Sequence, residues 1–202
     1  IAAFPLARSH DRSDSNLANQ MERTAELSTC GRFRWTLTRD WPGFGRLTSR
    51  GLVVMLNPST ADARVDDPTI RRLIDWHQRW GFGGFTVVNL LPLRSPDPDD
   101  ALDWYGLAAR DDGPERKAFR HNLQLLRSAA RGASQVLVGW GRLPADLLPL
   151  AREVLIDLED EAGDVHCLGL TQAGFPIHPM ARGKHRVPDD ITPQRFDASA
   201  HP

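Results

Sequence analysis

The chain has 202 residues, 41% of them hydrophobic and 25% charged, with a formal net charge of −1 at pH 7. This length and composition predict one ordinary soluble globular domain and exclude a membrane-spanning protein, because no apolar run approaches the roughly 18 residues that a span requires. The near-zero charge also argues against tight non-specific DNA binding, since proteins that contact many phosphates carry a basic excess.

The beginning of the sequence lacks the charged start, apolar core and cleavage site of a signal peptide, so we expect a cytoplasmic protein. Cys30 and Cys167 form neither a CxxC pair nor a ligand cluster, which predicts free thiols and no metal site. The sequence contains no P-loop, GxSxG elbow, HExxH pair or dinucleotide fingerprint. We therefore expect no cofactor.

Three segments are expected along the chain. Residues 1–28 are polar and aperiodic, which predicts a flexible lead-in. Residues 29–188 contain the periodic patterns and are predicted to form a single α/β domain. The tail, residues 189–202, has no periodicity and is predicted to be flexible.

Periodicity predicts the first elements of the domain. RFRWTLTR at residues 32–39 alternates Arg32, Arg34, Thr36 and Thr38 with Phe33, Trp35 and Leu37, which predicts a half-exposed edge strand with those four polar residues facing outward. GLVVML at residues 51–56 is continuously apolar, as in a parallel strand buried on both faces. DDPTIRRLIDWHQRWG at residues 66–81 predicts a helix with Asp67 as its cap and Pro68 at its first position.

Strands and helices then continue to alternate. Further strands are predicted in GFTVVNLL, ASQVLVGWG and DVHCLGLT, and further helices in PDDALDWYGLAAR, PERKAFRHNLQLLRSAARG and PADLLPLAREVLIDLEDEAG. This order predicts a three-layer α/β/α sandwich with a mostly parallel central sheet of about four strands. The N-terminal strand or hairpin is expected at the edge of that sheet.

Distinctive residues follow the predicted strands where each one ends. They are Asn57, Asn89, the Gly-Trp-Gly turn at residues 139–141 and, on the last loop, His178. Because ligands bind beyond the carboxyl ends of strands in open α/β sheets, we expect these residues to converge on one site. Simpler interpretations stay open: Asn57 as a turn former, Asn89 as a satisfied core amide and His178 as a structural histidine. The Gly-Trp-Gly turn is otherwise explained by packing.

Several motifs together resemble a bacterial family of unknown function. In chain order they are CGRFRW, MLNPSTAD, DDPTIRR, WGFGG, VVNL and GFPIHP. This resemblance spans nearly the whole patterned region, but it implies no established activity.

The strand ends also resemble, more distantly, the motif layout of the uracil-DNA glycosylase superfamily. MLNPS is similar to its first motif, of the form Gly-x-Asp-Pro or Gly-x-Asn-Pro, although Met55 and Leu56 stand where a glycine is usual. TVVNLLPLR, VLVGWG and HPMARG are similar to its base-reading, Trp-Gly and His-Pro segments. The resemblance implies a uracil-DNA-glycosylase-like fold.

This second resemblance implies a DNA glycosylase-like enzyme that hydrolyses the N-glycosidic bond of a flipped base, whether uracil-like, damaged or modified. Asn57 would position the water, and His178 would stabilise the leaving base as negative charge develops. Asn89 would bind the edge of the base, with Pro58 and Ser59 beside it.

Single- or double-stranded DNA is the expected partner. Met180 would insert into a base stack, and the basic residues Arg182, Lys184 and Arg186 would contact phosphates, unless the basic cluster is only a solvated surface. Three other functions stay open. They are a non-catalytic nucleic-acid or nucleotide-binding protein on the same fold, a hydrolase of a free nucleoside or other small metabolite, and a domain that acts only through protein partners.

Overall fold

A single mixed sheet organises residues 21–41, 46–110 and 112–197, which are the parts of the chain that this computed structural model describes. Its strands are β1 (Glu22–Leu27), β2 (Arg34–Asp40), β3 (Arg46–Met55), β4 (Phe82–Asn89), β5 (Gln135–Val138), β6 (Val165–Cys167) and β7 (Gln194–Arg195). The helices are α1 (Pro68–Arg79), α2 (Pro98–Ala108), α3 (Pro114–Arg131) and α4 (Leu148–Ala162), with short 3-10 helices at Ala145–Leu147 and Gly183–His185. The predicted α/β class is confirmed.

The strands lie in the order β1-β2-β4-β3-β5-β6-β7. The inner pairs β4·β3, β3·β5 and β5·β6 are parallel, whereas β1·β2, β2·β4 and β6·β7 are antiparallel. The predicted sheet of about four mostly parallel strands is therefore not confirmed, because the described sheet has seven strands and half of its six pairings are antiparallel.

Helices cover both faces of the sheet. The apolar side of α1 packs with Val53 and Val87 on one face, while α2, α3 and α4 pack with Leu52 and Val54 on the other. Strand β3 is thus buried on both sides, as its continuous apolar run predicted. The chain leaves β3 toward α1 and leaves β4 toward α2, so the two connecting loops, which pair as far as Pro58 and Ser95, then lead to helices on opposite faces. Such a divergence opens a crevice at the carboxyl edge of adjacent parallel strands.

Helix α1 begins as its sequence predicted. Asp67 is the N-cap and its carboxylate accepts a hydrogen bond from the Ile70 backbone N–H at 2.9 Å, with Pro68 in the first helical position. This end of α1 lies at the crevice and is therefore part of the site described below.

Parts of both segments that were predicted to be flexible pair with the sheet. Within residues 1–28, residues 22–27 form the edge strand β1, so β2 is an inner strand and not the predicted edge strand; residues 1–20 lie outside the described ranges. Within the tail, residues 189–202, strand β7 pairs with β6 and Phe196 is buried. Packing that the local sequence does not encode orders these two segments.

Helix α1 also binds the segment that leads into β7. Arg72 donates to the backbone carbonyl of Val187, the Trp76 indole donates to that of Asp189 at 3.0 Å, and the Trp80 indole to that of Ile191 at 2.9 Å. Two long side chains of α1 and that of its C-cap residue, Trp80, therefore fix the course of residues 187–191.

A β-bulge in β2 reverses one side chain. Glu26 pairs with Thr36, but the next residue, Leu27, pairs with Arg34, so Trp35 is the extra residue. Trp35 stacks on Phe33 in the core of the α2–α4 face, whereas Arg34 reaches the Ala61 carbonyl, which lies on the α1 face. The prediction that Arg34 faces outward is wrong, since only 2% of it is exposed.

Within the described ranges, no helix is long and apolar enough to cross a membrane. Cys30 and Cys167 are both free thiols, the first exposed and the second buried.

The contact between α1 and β3 depends on a glycine and a buried histidine. A Cβ at Gly51 would lie 2.6 Å from His77 Nε2, so only glycine admits the ring at this position. The His77 Nδ1 hydrogen bonds with the Leu73 carbonyl at 2.8 Å, and Nε2 has no partner in the described chain. Complete burial lowers the pKa of His77 from 6.5 to about 4.

We predict that His77 makes the fold sensitive to acid. Between pH 6.5 and about 4 the unfolded chain binds a proton at His77 that the folded protein does not, so stability falls as the pH falls. The free energy of unfolding, measured in urea, should drop by about 2 kcal/mol more between pH 7 and pH 5 in the wild type than in His77→Leu. The exposed His121→Leu serves as the control. Equal drops in the wild type and His77→Leu would contradict this role.

Candidate functional site

A cavity of about 240 Å³ lies in the crevice between the loops that follow β3 and β4 and the start of α1. Its polar lining includes Arg34, Asn57, Ser59, Asp67, Ser95 and His178. The structure therefore places Asn57, Ser59 and His178 in one cavity, as the convergence of strand ends predicted.

The two loops run side by side beyond the ends of β3 and β4. Backbone N–H groups of Leu90 and Leu91 donate to the carbonyls of Met55 and Leu56 at 2.8 and 2.9 Å. Farther along, the Ser95 N–H donates to the Pro58 carbonyl at 2.9 Å. This continued pairing fixes the backbone that presents Asn57 to the cavity. Pro58 is buried and contributes its carbonyl to the loops without lining the cavity.

Hydrogen bonds to carbonyl groups fix the orientation of the Asn57 amide. Its Nδ2 donates to the Ser95 carbonyl at 2.9 Å and, at 3.3 Å, to that of Pro58. Since carbonyl oxygens only accept, the nitrogen must face them and Oδ1 must point elsewhere. Asn57 Oδ1 accepts no hydrogen bond from the described residues and is an acceptor left for a ligand.

Hydrogen bonds also fix the side chain of Ser95. Its Oγ donates to Asp100 Oδ2 at 2.6 Å and accepts from the Asp97 N–H at 3.0 Å, and the residue is 7% exposed. Sequence reasoning missed Ser95, although a serine shortly before the Asp-Pro start of a helix is a local turn signal.

The tautomer of His178 follows from one backbone hydrogen bond. The Met180 N–H donates to Nδ1 at 3.1 Å, so Nδ1 is an acceptor and the proton of the neutral ring resides on Nε2. Burial lowers the pKa of His178 below its usual value, and the negative charge of Asp67 partly opposes this change. At pH 7 His178 therefore supplies a neutral Nε2–H donor.

The Gly-Trp-Gly turn after β5 packs against the loop that contains His178. A Cβ at Gly139 would lie 3.3 Å from Pro179 Cδ, and the Gly141 N–H donates to the Pro176 carbonyl at 2.9 Å. Gly141 also has a φ of 74°, in the left-handed region that favours glycine. These glycines position His178, and the turn is not part of the cavity lining.

Asn89 is not part of the cavity lining. It is 1% exposed and pairs in register with Met55, which does line the cavity. Its backbone carbonyl accepts from Asn122 Nδ2 at 2.8 Å, and its own Oδ1 has no partner among the described residues. Asn89 therefore lies beside Met55, in the interior next to the cavity.

A second concave surface, the basic groove, begins next to the cavity. It has a volume of about 570 Å³ and is lined by Pro68, Arg71, Arg72, Asp75, Met180, Ala181, Arg182, Gly183, Arg186 and Asp189. Pro68 lies between the cavity residues Asp67 and Thr69 in sequence, so the groove and the cavity both border on the start of α1. Lys184 is exposed on the Gly183–His185 turn and is not part of the groove lining.

Arg34 is the functional candidate that sequence reasoning missed. Its Nη1 donates to the Ala61 carbonyl at 2.9 Å, and its Nε is buried without a partner in the described chain. Desolvation lowers the pKa of Arg34 to about 10, against the opposing effect of Asp67, so the side chain is still a cation at pH 7. The alternation of β2 gave no signal of this position, because the bulge reverses it.

No cluster of three or more His, Cys, Asp or Glu side chains suited to a metal ion occurs in the residues that the structure describes. The site is thus built from amide, hydroxyl, imidazole, guanidinium and carboxylate groups.

Together, these features define a mixed α/β protein with a small polar cavity at the carboxyl edge of its parallel strands. The chain belongs to the family described as Protein of unknown function (DUF1643), whose model matches residues 34–180. This confirms the predicted membership of a family of unknown function. No match is found among curated proteins or solved structures. The polar residues of the cavity all fall within the matched range, whereas Arg182, Lys184 and Arg186 lie beyond it.

We predict that Asp67→Asn lowers the pKa of His178 further. The asparagine keeps a capping oxygen for α1 but removes the negative charge that favours the imidazolium. NMR titration of ring nitrogens should show the Nε2–H tautomer at pH 7 in the wild type and a lower pKa in the variant. Asp103→Asn, an exposed change on α2, should leave the His178 pKa unchanged. An Nδ1–H tautomer, or an unchanged pKa in Asp67→Asn, would refute the assignment.

Proposed function

We propose that this protein is a DNA glycosylase-like enzyme that hydrolyses the N-glycosidic bond of a base flipped out of DNA. The proposal depends on one observation, that a fixed acceptor on Asn57 and a fixed neutral donor on His178 line the same cavity. The acceptor suits the water that attacks the sugar end of the glycosidic bond, and the donor suits the base at its other end.

Hydrolysis breaks the bond between C1′ and the base nitrogen, and the electron pair leaves with the base. The sugar becomes cationic, a water oxygen bonds to C1′, and the water proton passes to solvent. The enzyme must therefore hold a water and stabilise negative charge on the departing base.

Asn57 holds the water through Oδ1. Its amide cannot usefully accept a proton, so it positions the nucleophile without acting as a general base. Preorganisation by the Ser95 carbonyl supports this role, because the amide need not reorient when substrate binds.

His178 donates its Nε2–H to the base as negative charge develops there. A neutral donor is sufficient when its geometry is fixed in advance and water is excluded. The bond from the Met180 N–H fixes the tautomer and also disfavours protonation at Nδ1.

The size of the cavity supports a single base as the buried group. At about 240 Å³ it is smaller than the roughly 300–1,000 Å³ of pockets for drug-sized ligands. The sugar and phosphates would remain in the adjoining basic groove, where Arg182 and Arg186 contact single- or double-stranded DNA and Met180 occupies the gap in the stack. Lys184 adds charge at the rim.

Contacts to the base come from Ser59, at the cavity wall above the Pro58 carbonyl. Asn89 is buried beside Met55 and outside the cavity lining, so it contacts the base only after a rearrangement that exposes it. A uracil-DNA-glycosylase-like, three-layer architecture is part of the proposal. The helices on both faces of the sheet and the order of the strand-end motifs support it.

We predict that Asn57→Ala and His178→Ala each reduce base release by at least about 100-fold, because each removes a preorganised contact in the transition state. Abasic-site formation would be measured on single- and double-stranded oligonucleotides that contain uracil, hypoxanthine, xanthine, alkylated or hypermodified bases. His121→Ala, an exposed histidine outside the cavity, should retain full activity. Circular dichroism checks that each variant is folded.

Other results would replace the proposal. Release of base only from free nucleosides would favour a small-metabolite hydrolase. Binding of nucleic acid without base release from any substrate would favour a binding protein that uses the same cavity. Both results contradict a DNA glycosylase.

We predict that Arg186→Gln weakens DNA binding uniformly across sequences. Removing one phosphate contact should also reduce the slope of log affinity against log salt by about 1. The matched control is Arg152→Gln, an exposed arginine on α4 and on the opposite face from α1. Fluorescence anisotropy at several salt concentrations would measure both quantities. Equal slopes for the two variants would exclude Arg186 from the DNA-binding surface.

A further inference from the structure

Two donor nitrogens of the Arg34 side chain have no partner among the described residues. Nη1 is used by the Ala61 carbonyl, but neither Nε nor Nη2 forms a hydrogen bond with the described residues. These two groups form one edge of the planar guanidinium, which matches two acceptors that lie side by side. Arg34 lines the cavity, and its Nη2 is not fully buried, whereas its Nε is. A ligand that uses the whole edge must therefore reach in as far as Nε.

Arg39 on the same strand shows what a purely structural arginine looks like here. It is completely buried, and its Nε donates to Asp66 Oδ1 at 2.8 Å while Nη2 donates to the Asp62 carbonyl at 2.6 Å. Nη1 donates to the Thr38 carbonyl at 2.8 Å. All three nitrogens of Arg39 are therefore satisfied by protein groups, whereas Arg34 is satisfied at only one.

A buried cation with unsatisfied donors is costly, so the fold must complete it in another way. None of the ion pairs in the described ranges includes Arg34, although the charges of Asp67 and Asp62 favour its cation from a distance and those of Arg94 and Arg39 oppose it. A ligand with acceptor atoms provides what the protein lacks.

Charge balance indicates a neutral ligand. The cavity contains one cation, Arg34, one anion, Asp67, and the neutral ring of His178. A phosphate would add negative charge next to Asp67, and the same carboxylate already caps α1. A neutral planar ring with two adjacent acceptors fits both this balance and the small volume.

We propose that Arg34 binds the O6/N7 edge of a 6-oxopurine base, such as hypoxanthine or guanine, in this cavity. This rests on the proposed function and names its substrate class. Arginine pairs with O6 and N7 through two parallel hydrogen bonds, the commonest specific contact to guanine. Adenine presents an N6 amino donor instead of O6 and would place donor against donor. The cavity therefore selects the oxo form of the purine.

The test is binding of free bases, measured by calorimetry and by thermal shift, with hypoxanthine, adenine, uracil and inorganic phosphate as probes. Hypoxanthine should bind the wild type about 10- to 100-fold more tightly than adenine or uracil, and phosphate should not compete. Arg34→Met should lose that preference. Arg34→Lys keeps the charge but not the paired donors, so it should bind hypoxanthine at least about tenfold more weakly. Arg32→Met, an exposed arginine beside β2, should bind as the wild type does.

Several outcomes would overturn the inference. They are tighter binding of phosphate or uracil than of hypoxanthine, no binding of any probe, and unchanged hypoxanthine affinity in Arg34→Lys. If Arg34→Met fails to fold, the hypoxanthine affinity of Arg34→Lys tests the inference, because the lysine retains the buried cation. The proposed function can fail separately. Arg34-dependent hypoxanthine binding without base release from DNA would support the base-binding site and contradict the glycosylase activity.

Discussion

The loop between β3 and α1 takes its course from two buried arginines of β2, and the candidate site depends on that course. Arg39 binds Asp66 and the Asp62 carbonyl, and Arg34 binds the Ala61 carbonyl. These contacts hold the loop over the α1 face, so that α1 starts at the mouth of the cavity. A buried cation that loses its partners is strongly destabilising, so a loop that left these arginines would destabilise the fold.

The electrostatic character of the cavity follows from burial and not from an excess of charge. One acceptor, one neutral donor and one cation with a nearby carboxylate meet in a small volume. Each is fixed by backbone groups: Asn57 by the Ser95 carbonyl, His178 by the Met180 N–H and Arg34 by the Ala61 carbonyl. Because backbone dipoles hold these polar groups in place, the site can be strongly polar in a chain whose net charge is only −1.

Elements with strong local signals were predictable from the sequence. The Asp-Pro start and apolar stripe of α1, the continuous apolar run of β3, and the meeting of Asn57 with His178 all followed from periodicity and strand-end reasoning. The edge strand β1 was not predictable from the sequence. Both of its faces are exposed, so its residues show no alternation of polar and apolar side chains. Arg34 was not predictable either, because a one-residue bulge exchanges the two faces of a strand without changing its composition. The short strand β7 depends on contacts with α1 that lie more than 100 residues away in sequence.

The anchoring of residues 187–191 on α1 links two distant parts of the molecule thermodynamically. Arg72 donates to the backbone carbonyls of both Pro179, next to His178, and Val187, at the start of the anchored segment. One side chain thus restrains both ends of the loop that connects the cavity to the C-terminal strand. A ligand that needs His178 in place must favour the docked state of the segment, and docking must favour the ligand by the same free energy. Protection of the C-terminal segment from proteases would then measure how fully the cavity is occupied.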